Sequence, residues 1–170
     1  GELSHPAKAL LQPVYLGLLS RMQQVKVQEQ HDLLILLSGP EPQRTILETK
    51  LVQSLQQFSG KAVLVRGLPN ATTTLQVPTS VTVYAHLPAH ELQQQICAAS
   101  LVVCRSGYTS LMDLVHLQKK AVLIPTPGQP EQEYLAMHLQ SLQLFPSLTQ
   151  AEASIEKIMA VAATFNYQQP

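Results

Sequence analysis

The apolar positions of this chain follow two patterns that alternate from about residue 32 to the carboxyl end. "DLLILLSG" (32–39) is a continuous apolar run closed by a glycine, the pattern of a strand buried on both faces, as parallel strands are. The next stretch, "PQRTILETKLVQSLQQF", spaces Ile46, Leu47, Leu51, Leu55 and Phe58 three and four positions apart, which predicts an amphipathic helix with those residues as its buried stripe. The alternation continues with strands over 61–67, 81–85, 101–104 and 121–125, and helices over 89–99, about 108–117 and 130–142. A last helix is predicted over 149–165, with Thr149 as N-cap and Glu152 three residues later completing a capping box. Near the start, "PVYLGLL" (13–19) reads as a short strand or a linker.

Alternating strands and helices of these lengths predict an α/β fold, a Rossmann-like doubly wound and mostly parallel sheet. Sites in such sheets lie at the carboxyl ends of the strands, so the post-strand loops are the places to look for chemistry. With 170 residues, 45% of them hydrophobic, the chain can bury one full core. It opens on Gly1 and a polar, proline-bounded leader, "GELSHPAKALLQP". That start predicts a fragment of a longer protein, with 1–20 a linker or short first strand from a missing N-terminal domain and 21–170 the folded domain.

Composition removes several classes of function. Eleven basic and eleven acidic residues cancel, and no block of like charge occurs, so the electrostatic footprint of a nucleic-acid-binding protein is missing. No apolar stretch approaches the roughly 20 residues that cross a bilayer, and the first residues lack the pattern of a signal peptide. The expectation is a cytoplasmic chain with no direct membrane insertion. Cys97 and Cys104 lack CxxC spacing and sit in apolar patterns, which predicts buried reduced thiols. His86 and His90 are separated by Pro88 at a helix entrance, so they do not share a helical face, and no metal site is expected.

Three post-strand loops carry candidate chemistry. After "LVVC" the chain gives Arg105, Ser106 and Gly107 and then a helix beginning with Tyr108, Thr109 and Ser110. The free N–H groups of a first helical turn and the positive end of its dipole suit a phosphate, with Gly107 allowing close approach and the hydroxyls adding donors. Asp113 lies three and four residues beyond Ser110 and Thr109, on the same helical face, where a carboxylate can accept two hydrogen bonds from a vicinal diol such as a ribose. The competing reading is an ordinary helix start capped by Ser106. Arg105 is open to two roles, partner of the phosphates or brace of the loop. After "AVLIP" comes "TPGQPEQEYLA", with Pro130 suited to the first helical position and Gln132 and Glu133 in the first turn, where an amide and a carboxylate suit sugar hydroxyls or, alternatively, helix capping. "SGPEPQR" (38–44) has two prolines and Glu41, so it is neither a P-loop nor a GxGxxG fingerprint, and Arg44 is its only anion-binding side chain.

Taken together, "LVVCRSGYTSLMDL" and "KKAVLIPTPGQPEQEYLA" resemble the carboxyl-terminal domain of glycosyltransferase family 28, the group that includes the MurG-type transferases. The resemblance runs from "VYLGLLSR" to about residue 140 and implies the nucleotide-sugar-binding, C-terminal half of a two-domain GT-B fold. The family motif R-[AS]-G-x-x-[ST]-x-x-[ED] falls on Arg105, Ser106, Gly107, Ser110 and Asp113. It implies diphosphate at the loop and helix start, and ribose at Asp113. The family's glutamine pair for the donor sugar falls on Gln132 and Glu133, a glycine and arginine four apart fall on Gly17 and Arg21, and uracil is implied at the backbone around Leu87. Three positions depart from the pattern: "SGPEPQR" replaces a glycine-rich phosphate loop, Glu133 replaces a glutamine, and Ala136 replaces an asparagine.

The implied function is the UDP-sugar-binding domain of an inverting glycosyltransferase, with the sugar nucleotide as substrate and neither cofactor nor metal. The implied partner is the N-terminal acceptor-binding domain, which supplies the base and any membrane-peripheral location. The alternatives are a standalone donor-binding subunit of a two-subunit transferase, a UDP-sugar hydrolase or epimerase relative, and a non-enzymatic α/β interaction module.

Overall fold

Five parallel strands form one sheet in the order β3-β2-β1-β4-β5, with β1 His31–Leu36, β2 Ala62–Val65, β3 Val81–Tyr84, β4 Ala99–Cys104 and β5 Ala121–Leu123. The computed structural model describes residues 17–25 and 27–168, so most of the segment 13–19 read as a strand or linker lies outside the described residues. Between and after the strands lie α1 Gln43–Leu55, α2 Ala89–Ala98, α3 Tyr108–His116, α4 Pro130–Ser141 and α5 Ile155–Thr164. The expected Rossmann-like, doubly wound sheet is therefore the fold observed.

Strand alternation divides the core into two layers. Leu34, Val63, Val65, Val102, Cys104 and Leu123 face one side and pack with Ile96 of α2, Leu114 of α3 and Leu135 of α4. Leu33, Ile35, Leu64, Val103 and Val122 face the other and pack with Leu47, Leu51 and Leu55 of α1 and Ile158 of α5. Each of these buried aliphatic side chains contributes about 1.5–3 kcal/mol over an exposed position, which explains why the central strands read as unbroken apolar runs. Cys104 is among them, and burial pushes its thiol up to about 12, so it is inert packing.

Chain connections leave β1 toward β2 and β3 on one side and toward β4 and β5 on the other. The order therefore reverses between β1 and β4, which are paired from His31↔Ala99 to Leu36↔Cys104. In an open α/β sheet this switch point opens a crevice beyond the carboxyl ends of the two strands. The segment after α4 returns to the outer strand β5, where Leu123 donates to the Pro146 carbonyl at 2.9 Å and accepts from Leu148 N at 3.0 Å.

Two local expectations are corrected. Ile46 is 44% exposed, and the buried stripe of α1 consists of Arg44, Leu47, Glu48, Leu51 and Leu55. The last helix begins at Ile155 with Ser154 as its N-cap, accepting from Lys157 N. Thr149 and Glu152 do hydrogen-bond each other, Thr149 Oγ1 to Glu152 Oε2 at 2.6 Å and Glu152 N to Thr149 Oγ1 at 3.3 Å, but they close a turn that the helix does not continue.

Candidate functional site

The start of α3 lies at the carboxyl end of β4, on the crevice. Its N-cap position is Gly107, and no side chain caps it; the first intrahelical bond is Leu111 N to Gly107 O at 3.0 Å. The N–H groups of Tyr108, Thr109 and Ser110 thus lack intrahelical acceptors. Tyr108 and Thr109 are exposed and Ser110 half-buried. Among the described residues, a Cβ built on Gly107 would meet no atom within 4 Å, so none of them covers this position. Ser106 is not the cap. Its side chain is fully buried and donates to the Gln132 carbonyl at 2.7 Å, tying the β4 loop to α4.

Arg105 is buried under the loop. It donates through Nη1 to the carbonyls of Ile124 and Pro125, both at 3.1 Å, and through Nη2 to Gln43 O at 3.0 Å and Gln150 Oε1 at 2.6 Å. One side chain therefore joins the carboxyl ends of β4 and β5 to α1 and to the chain beyond β5. Burial pushes this guanidinium down to about 10, which leaves it charged at neutral pH, and none of its four acceptors is a carboxylate. Its Nε and the buried Thr126 hydroxyl have no hydrogen-bond partner among the described residues, and both lie near Gly39.

Asp113, only 5% exposed, lies on α3 and accepts from the Ser20 hydroxyl at 2.7 Å. The segment carrying Ser20 is fixed by Gln23 N to Gln93 Oε1 of α2 at 2.9 Å and by Gln24 Nε2 to the His116 carbonyl of α3 at 2.9 Å. Arg21 is exposed next to this contact and makes no hydrogen bond or ion pair among the described residues. Leu87 is buried in the core layer of α2, α3 and α4, so of this residue only backbone groups are left for a ligand.

The first turn of α4 folds back on the β5 loop. Gln132 Oε1 accepts from Thr126 N at 3.0 Å, its Nε2 donates to Gln129 Oε1, and Glu133 Oε1 accepts from Gly128 N at 3.0 Å. Beside Glu133 lies a groove of about 500 Å³, walled by Pro125, Met137 and Leu148 and flanked by the carboxylates of Glu133 and Glu152. On the other side of the crevice, Arg44 is engaged by Glu41 at 2.6 Å and Glu48 at 3.1 Å, and Arg66 by Glu48 at 2.7 Å. The one anion-binding side chain expected in "SGPEPQR" is thus neutralised inside the fold. Among the described residues no three His, Cys, Asp or Glu side chains gather as a metal would require, and no helix is long and apolar enough to cross a membrane.

The structure therefore gathers Arg105, Ser106, Gly107, Tyr108, Thr109, Ser110 and Asp113 at one strand end, with Gln132 and Glu133 at the next. Sequence reasoning missed Ser20, Thr126 and Gln150. Only long-range contacts reveal them, and no local spacing signals any of the three.

A five-stranded parallel sheet with a switch point and helices packed on both faces makes this a Rossmann-like α/β domain. The chain belongs to the glycosyltransferase family 28 C-terminal domain family, whose model matches residues 41–168. Among solved structures it is similar to the glycosyltransferase SnogD from Streptomyces nogalater, at 13% identity and TM-score 0.61 over 94% of this chain and 39% of that one. It is also similar to MurG of Acinetobacter baumannii, at 19% identity and TM-score 0.60 over 82% of this chain and 42% of that one. The spinosyn forosaminyltransferase SpnP gives 11% identity and TM-score 0.61 over 81% and 36%. At these identities the likeness is one of fold, and the chain spans well under half the length of each. No curated protein sequence matches the chain.

Proposed function

We propose that this chain is the donor-binding half of an inverting glycosyltransferase and that its donor is a UDP-sugar. The observation that carries the reading is the start of α3 at the switch point, which none of the described residues caps or covers at Gly107, with Asp113 one turn further along the same helix. The helix N–H groups and dipole would hold the diphosphate and stabilise it as it leaves, which is electrostatic catalysis by preorganised donors. Asp113 would take the ribose hydroxyls, backbone groups around Leu87 the uracil, and Arg21 the nucleotide from the adjoining segment. Arg105 braces the loop, so its contribution to the phosphates is the field of a buried charge.

We assign the donor's sugar to the groove beside Glu133. Its carboxylates accept hydroxyl hydrogens, and its Pro125, Met137 and Leu148 wall suits the C–H face of a pyranose. The general base and the acceptor site belong to an N-terminal half, in the two-domain arrangement the family implies, so the chain alone binds donor without transferring sugar. Neither metal nor cofactor takes part in this scheme. Calorimetric titration with UDP, ADP, GDP and dTDP tests it: UDP should bind tightest, and a chain that stays folded yet shows no preference for UDP contradicts the donor assignment.

A further inference from the structure

Asp113 is held by a residue from the far end of the chain, 93 positions earlier. Ser20 Oγ accepts from Met22 N at 3.0 Å and donates to Asp113 Oδ1 at 2.7 Å. The backbone N–H takes up the hydroxyl's acceptor side and so turns its single hydrogen toward the carboxylate. Met22, 4% exposed, is anchored in the core layer shared with α3, and the Gln23 and Gln24 contacts fix the same segment on α2 and α3. The serine is thus a rigid donor, while the group it meets is intrinsically loose, because the terminal torsion of an aspartate is broad and roughly two-fold.

A carboxylate reads a vicinal diol when two of its free lone-pair sites are held facing the two hydroxyls. One hydrogen bond to Oδ1 fixes the plane of the carboxylate and uses one of about four lone-pair sites, leaving the rest, including all of Oδ2, for two ribose hydroxyls. From this geometry we infer that Ser20 is the positioning residue that makes Asp113 selective for a ribonucleotide over its deoxy counterpart. The inference rests on the ribose role proposed for Asp113 and adds to it the residue that enforces it. It also joins the two assigned contacts of the nucleotide, since Arg21 follows Ser20 directly and the docked segment fixes where both begin.

The test is the ratio of affinities for UDP and for 2′-deoxy-UDP and 3′-deoxy-UDP, measured by calorimetry on the wild-type chain and on Ser20→Ala and Ser20→Thr. The wild type should prefer UDP by about tenfold or more, the worth of one hydrogen bond to a charged group. Ser20→Ala should cut that preference to below about threefold, while Ser20→Thr, which keeps the hydroxyl, should preserve it. A merely structural role would lower all three affinities together and leave the ratio unchanged, so an unaltered ratio in Ser20→Ala, with thermal denaturation showing it folded, overturns the inference. If the wild type binds UDP and both deoxy forms equally, the ribose role of Asp113 falls as well. If it binds none of them, the donor proposal itself fails.

Discussion

Arg66 closes on Glu48 through two hydrogen bonds, Nε to Oε1 at 2.7 Å and Nη2 to Oε2 at 3.1 Å, with both side chains buried. Arg44 reaches the same carboxylate from its own helix at 3.1 Å. Burial alone would raise the Glu48 carboxyl, but the bonds from Arg66 and Arg44 outweigh it and hold the group below the usual range. Glu48→Gln leaves two buried guanidiniums facing a neutral amide, so urea denaturation should show a loss of about 3–5 kcal/mol. The sign with pH follows from the lowered value. The carboxylate's contribution is complete above the unfolded value near 4.5 and is lost as pH falls from there through the folded one. The variant should therefore show a flatter acid limb than the wild type.

Gly107 has φ −82 and ψ 142, a conformation open to any residue, and a Cβ there would meet none of the described residues within 4 Å. Neither backbone nor packing requires the glycine. Gly107→Ala, at an N-cap where alanine is poorer than glycine, should cost no more than about 1 kcal/mol while weakening UDP, because the added methyl projects at the helix start. A variant destabilised by more than that, or one that binds UDP unchanged, contradicts the assignment of this space to the diphosphate.

His31 is buried, and desolvation lowers its value below 6.5 against the opposing bond to the Gln95 carbonyl. A lowered base is disfavoured as a cation in the folded state, so stability is complete above 6.5 and falls as pH drops from there through the folded value. Between pH 7 and 5 the wild type should lose more stability than His31→Gln, whose amide can keep the hydrogen bond without a charge. Equal losses in parallel denaturation series would contradict this.

Ser154 Oγ accepts from Lys157 N at 3.2 Å and caps α5. Ser154→Ala should lower stability by about 1 kcal/mol. Thr149→Ala should cost less, since it opens an exposed turn and no helix. Thermal denaturation of the two variants decides the order.

These contacts also mark where the sequence was readable. Apolar runs such as "LLIL" and "LVVC" lie in central strands buried on both faces, so their existence, their parallel pairing and the loops after them followed from pattern alone. The stripe of α1 was misplaced because Arg44 and Glu48 look like surface residues until Arg66, from the end of β2, buries them. The start of α5 was misplaced because the Thr149 and Glu152 pair satisfies itself locally. Meanwhile the chain around it is held by Leu123 and by Lys50 Nζ, which donates to the Gln150 and Ala151 carbonyls. The gathering of "CRSGYTSLMDL" at the end of β4 was visible in the sequence, but Ser106 turned inward to α4 and Arg105 to the β5 loop. The bond from Ser20 to Asp113 spans too much chain for any spacing rule to show it.

The ribose role of Asp113 is tested most directly by calorimetric titration of UDP into the wild-type chain and into Asp113→Asn, which keeps the size of the side chain and removes its charge. Losing charge-assisted bonds to two ribose hydroxyls, each worth about 1.5–3 kcal/mol, should weaken UDP by at least about tenfold while the folded chain persists. Asp113→Asn that binds UDP as the wild type does would contradict a ribose role for Asp113.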